Sequence, residues 1–112
     1  MATNLRFDPG NQIVVAKASI SAGDPVVFGQ VPGVALTDTD GSGNITMKTD
    51  GVYLMSVKGA DGSGNAAITA GDIIYLDSTE LNVDSTNGVR WGYALQAVSS
   101  GATTSILVKV GY

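Results

Sequence analysis

Ile20-Ser21-Ala22-Gly23-Asp24-Pro25-Val26-Val27-Phe28 and Ile68-Thr69-Ala70-Gly71-Asp72-Ile73-Ile74-Tyr75 share one pattern. In each, Ala-Gly-Asp stands ahead of a run of β-branched and aromatic residues. Glycine supplies a permissive backbone, and the aspartate side chain can close its own turn. Val, Ile, Phe and Tyr fit a pleated, half-buried surface. Each stretch therefore predicts a tight turn leading into a strand. The likeness continues downstream, where Gly33-Val34-Ala35-Leu36 resembles Gly92-Tyr93-Ala94-Leu95. A glycine-containing turn and an alternating strand with one lysine, Lys48 or Lys109, follow in both halves. The order of the blocks is that of two similar β-units, with convergence of similar hairpins as the alternative. The interval from Asp24 to Gly33 is much shorter than that from Asp72 to Gly92, so the second half carries a longer excursion near residues 78–89.

The rest of the chain reads the same way. Strands are predicted over 12–18, 25–30, 33–37, 44–49, 51–58, 73–77, 80–84, 90–98 and 104–111. Alternation is clearest in Ile45-Thr46-Met47-Lys48-Thr49 and in Ile106-Leu107-Val108-Lys109-Val110, where one set of side chains can face a core and the other water. Asp50-Gly51 and Asn87-Gly88 favour the positive φ angles of hairpin turns. The two Asp-Gly-Ser-Gly-Asn segments, at 40–44 and 61–65, are too short for linkers and read as hairpin loops. The expectation is an all-β fold, a small single-domain antiparallel β-barrel or sandwich (jelly-roll-like) over residues 11–112, closed to limit exposed edges. Residues 1–10 read as an extended N-terminal arm, in which Leu5 and Phe7 alternate with polar neighbours before Asp8-Pro9-Gly10. Such an arm either frays or adds a strand to a partner's sheet edge.

Composition narrows the chemistry. The 112 residues include 15 Gly, no Cys and no His, and only 14% are charged, against about 25% in ordinary proteins. Without Cys there is no disulfide framework. Without His or Cys there is no Ser-His-Asp triad, no Cys-His pair and no usual zinc ligand set. The net charge is −4 and the six Lys/Arg are scattered singly, so nucleic-acid binding, which needs a basic surface, is not expected. No run approaches the ~18 apolar residues of a membrane span. The N-terminal stretch lacks a signal peptide's apolar core, so synthesis and use without secretion are expected.

Several residue groups bear on chemistry. Two of Asp24, Asp38, Asp72 and Asp77 converging in a cleft would suit a glycosidase; turn capping is the simpler role for Asp24 and Asp72. The Asp/Gly/Asn loops lack the distant Glu of an EF-hand and the Gly-Lys-Ser/Thr of a phosphate loop. Met47-Lys48-Thr49 partly resembles a biotin carrier's lysine, but Lys48 falls mid-strand. Trp91 and Tyr93 lie two apart on one strand and so face one side. They are expected in the core or a subunit interface, and an exposed pair would instead be a sugar or protein platform.

Taken in order, Ser-Ala-Gly-Asp-Pro-Val-Val-Phe-Gly (21–29), Pro-Gly-Val-Ala-Leu-Thr-Asp (32–38), Asp-Gly-Val-Tyr (50–53), Ile-Thr-Ala-Gly-Asp-Ile-Ile-Tyr (68–75), Trp-Gly-Tyr-Ala-Leu (91–95) and Val-Lys-Val (108–110) resemble a family of small phage-encoded proteins. Its members serve as capsid decoration or cement proteins of tailed phages. The resemblance implies a non-enzymatic virion protein, made in the host cytoplasm, on the outer surface of an icosahedral capsid. The implied partners are the phage major capsid protein, whose capsomers it would clamp, and further copies of itself as a homotrimer or, alternatively, a homodimer. No cofactor is implied. Relatives often pair an N-terminal arm with a capsid-protein strand, and by position the matching residues are Thr3, Asn4, Leu5, Arg6 and Phe7.

Overall fold

The structure, a computed structural model, describes residues 12–111. The arm at 1–10, with Thr3 to Phe7, lies outside them. The described residues form nine strands: β1 Gln12–Ala16, β2 Pro25–Phe28, β3 Val31–Ala35, β4 Asn44–Lys48, β5 Val52–Lys58, β6 Ile73–Asp77, β7 Glu80–Asn82, β8 Val89–Ala94 and β9 Thr103–Val110. The fold is all-β. The first four strands make an antiparallel sheet in the order β1-β4-β3-β2, and the other five close into a barrel in the order β5-β7-β6-β8-β9.

The two halves are built alike in detail. In the first turn the Ser21 amide donates to the Asp24 carboxylate at 3.0 Å; in the second, Thr69 donates to Asp72 at 2.8 Å. Gly23 and Gly71 both take left-handed backbone, at φ 92° and 98°, which an L-residue adopts only with strain. Gly23 donates to the Ala35 carbonyl and Ala35 to that of Asp24; Gly71 and Ala94, Ala94 and Asp72 repeat both bonds. Leu36 donates to Thr46 as Leu95 does to Leu107. The registers agree as well. Gln12 pairs with Lys48 as Val52 pairs with Lys109, and Val26 pairs with Gly33 as Ile74 pairs with Gly92.

Each half is thus one Greek key, β1-β4-β3-β2 and β5-β9-β8-β6, in which a meander of three strands takes the first strand back beside its last. Two Greek keys are also the ingredients of a jelly roll. The halves differ at β7 and at the β5–β6 connection, which at 59–72 is longer than the β1–β2 connection at 17–24. The excursion at 78–89 turns back at Ser78-Thr79, pairs antiparallel with β6, and reaches β5 in a short parallel contact at Val57 and Leu81. Leu81 is buried there, and the barrel is closed.

Alternation explains most of the core. Ile45 and Met47 point inward from β4, and Ile106, Val108 and Val110 from β9. One cluster fills the barrel, and a smaller one of Val15, Val26, Ala35, Ile45 and Met47 lies under the sheet. β3 breaks the alternation, with Pro32 to Ala35 all buried. It is the strand between the two cores: Ala35 belongs to the sheet's cluster and Val34 to the barrel's. Gly33 and Gly92 let neighbouring strands approach closely. A Cβ at Gly33 would lie 2.7 Å from the Lys48 carbonyl oxygen, and one at Gly92 would collide with that of Lys109.

Candidate functional site

Most carboxylates hold turns. Asp24 and Asp72 close their own turns, and Asp38 accepts the Ala22 amide at 2.8 Å. Asp40 accepts the amides of Ser42 and Asn44, and Asp61 those of Ser63 and Gly64, so both Asp-Gly-Ser-Gly-Asn loops are pinned by their first aspartate. The anionic oxygens face amides, an arrangement that shapes loops.

Asp84 is the buried case. Its carboxylate accepts the Asn87 side-chain amide at 2.9 Å and the backbone amides of Asn87 and Thr86 at 3.1 and 3.0 Å. It fixes the turn that returns the chain from β7 to β8, and so helps hold the barrel shut. The Asn87 side chain, then the Asn87 backbone amide, hold its carboxyl below the ordinary 3.8. A carboxyl depressed in the folded state adds stability that is present above its unfolded pKa and is lost as pH falls through the folded one. The melting temperature is therefore expected to fall below about pH 4. Asp84→Asn is expected to lower it at pH 6 and to differ less from the parent at pH 2.5, measured by circular dichroism.

The aromatic pair separates in role. Trp91 is fully buried, and its indole N–H donates to the Gly33 carbonyl at 3.0 Å. Trp91 stands where the register between β6 and β8 shifts, and it lies in one buried cluster with Val34 of β3 and with Ile74, Val108 and Val110 of the barrel. Its bond to Gly33 joins the two halves. Trp91 offers no stacking face to a sugar. Tyr93, two residues on, is half-buried; its hydroxyl accepts from Arg90, whose guanidinium stands 5.3 Å from the ring centroid.

The exposed side chains that call for explanation are apolar. Leu54 (66% exposed) and Leu107 are direct cross-strand partners on the outside of β5 and β9, Leu95 is bonded to Leu107 through the backbone, and Val52 extends the row. In the first half Val14 (61% exposed) and Leu36 take the corresponding places, with Thr46 between them where Leu107 stands in the second. Contiguous apolar rows on a surface mark contacts, unlike scattered single residues. No motif in the sequence marks these positions. The signal for Leu107 was present, because alternation that buries Ile106, Val108 and Val110 turns Leu107 to water. For Leu54 the continuous apolar run gives no phase.

A duplicated β-body with paired apolar rows and carboxylates bound into turns is suited to contact rather than chemistry. A profile of phage cement proteins matches residues 7–110. The chain belongs to the phage cement protein family. Membership gives it a structural, capsid-stabilising role in the virion and makes capsid components its binding partners. No curated protein and no solved structure matches it.

Proposed function

We propose that the protein decorates the outer surface of a tailed-phage icosahedral capsid and cements adjacent capsomers of the major capsid protein. It is made in the host cytoplasm and acts as a homotrimer, with a homodimer as the alternative. The body from residue 11 onward supplies the rigid clamp, and the rows at Leu54, Leu95 and Leu107 and at Val14 and Leu36 supply contact area. The arm residues Thr3, Asn4, Leu5, Arg6 and Phe7 add a strand to a neighbouring chain of the shell, with Leu5 and Phe7 as anchors. The paired exposed rows carry this reading, because they give one small chain two similar adhesive faces. Many copies repeating a modest contact over a shell hold it strongly.

The test is a heat challenge of expanded shells with and without the purified protein. Bound protein raises the temperature at which shells release their DNA or fall apart, since a ligand of the assembled state stabilises it. An unchanged release temperature at saturating protein contradicts the proposal.

A further inference from the structure

One of the differences between the halves has a consequence for assembly. In the second half β7 fills the space between β5 and β6. In the first half, β1 and β2 occupy the corresponding positions, and the chain between β2 and β3 is only the turn at Gly29-Gln30. No strand of the described residues lies between β1 and β2.

Three observations mark that position as a place for a strand. First, Leu76 of β6 is 4% exposed beneath Leu81, while Phe28, its counterpart in β2 by register, is 45% exposed. Second, a pocket of about 250 Å³ opens beside β2, just past the end of β1, between Lys17, Ser19, Val26 and Val27 on one side and Leu76, Ser78 and Thr79 of the barrel on the other. Lys17 follows β1 at the position where Val57, the partner of Leu81, stands in β5. Third, the non-glycine residues with left-handed backbone among those described, Ser19 (φ 60°) and Ser78 (φ 57°), both border this pocket.

The geometry points to donor-strand exchange: the β1–β2 slot of one copy receives the arm, residues 3–8, of a second copy of this chain. The inference rests on the capsid-decoration reading for the arm's role as an added strand, and it names the acceptor. The occupant is chosen on sequence and length. β7 and its continuation read Glu80-Leu81-Asn82-Val83, a polar–apolar alternation with Leu81 buried and Val83 packed on the core. The arm reads Asn4-Leu5-Arg6-Phe7, with the same alternation and spacing. β7 runs parallel to β5 and antiparallel to β6. A strand placed likewise runs parallel to β1. A chain's own arm is tied to β1 by residues 9–11 alone, whereas a parallel connection needs a dozen or more residues. The donor is therefore another copy, and each copy has one arm to give and one slot to fill.

The chain has no cysteine, so a cross-link reports the contact cleanly. Full-length copies carrying Leu5→Cys, mixed with copies carrying Lys17→Cys, are expected to form a mixed disulfide dimer about tenfold or more faster than either variant alone, because the slot raises the local thiol concentration. Deleting residues 2–9 is expected to reduce the mass in light scattering to one chain while thermal unfolding stays cooperative. A closed monomer from the chain carrying both cysteines would show the arm in its own slot and overturn the proposal. So would cross-linking no faster than the single-variant controls, or an undiminished mass after the deletion. Shell binding is scored separately. If the deletion abolishes shell binding but not the oligomer, the arm grips the capsid and strand exchange fails alone. If cross-linking succeeds but the protein never binds shells, the exchange stands and the capsid reading fails.

Discussion

Replacing Trp91 with alanine is expected to destabilise the protein by about 4 kcal/mol. Emptying a fully buried aromatic site costs ~3–5 kcal/mol, and the Gly33 carbonyl loses the indole N–H at the junction of sheet and barrel. A domain of this length has about 5–15 kcal/mol in total. One kcal/mol corresponds to roughly 4–8 °C in small domains, so the melting temperature should fall by roughly 15–30 °C. Trp91→Phe keeps most of the ring and loses the hydrogen bond, and is expected to cost about 1–2 kcal/mol. Urea denaturation of the three proteins measures both differences. A loss below about 1 kcal/mol for the alanine variant would mean that the halves are not joined through this side chain.

The second large effect belongs to the exposed row. Leu54→Lys combined with Leu107→Glu replaces two apolar cross-strand neighbours by an opposite-charge pair, which sheets tolerate. Both positions face solvent, so stability should move by no more than about 0.5 kcal/mol per site. Binding to shells is another matter. Burying a leucine against a partner is worth about 1.5–3 kcal/mol, so losing two weakens binding by at least about 100-fold. Co-sedimentation with shells over a concentration series reads this directly. Parental affinity from the folded double variant would remove the row from the interface.

The strands were legible in the sequence because their signals are local. Ile45 to Thr49 and Ile106 to Val110 alternate, and Gly23-Asp24 and Gly71-Asp72 place the turns that start β2 and β6. The unequal intervals from Asp24 to Gly33 and from Asp72 to Gly92 marked the excursion that becomes β7. Its consequence was not legible, because Leu81 reaches Val57 by a parallel pairing that no neighbouring residue announces. β3 hid for a related reason. Val31-Pro32-Gly33-Val34-Ala35 does not alternate because cores lie on both of its sides. Trp91 and Tyr93 would share a face by spacing, yet the pairing of β6 with β8 shifts register at Trp91, which is buried while Tyr93 is half-buried. The apolar rows escaped notice because composition counts exposed and buried leucines alike. Only the placement of Leu54 beside Leu107 makes them a surface.

The absence of Cys and His and the scarcity of charge fit the same picture. Among the described residues the glycines fall largely in turns and at close strand approaches such as Gly33 and Gly92, so they belong to a tightly wound body. A clamp works through shape, strand edges and repetition, and none of these needs a reactive side chain.

The most direct test of the central claim is cryo-electron microscopy of the intact virion at a resolution that traces β-strands. The account predicts density for the sheet-and-barrel body on the outside of the capsid, at junctions between capsomers, with the row at Leu54 and Leu107 against the shell. Virions whose outer capsid surface carries no such density, with the chain found only in infected cells, would contradict it.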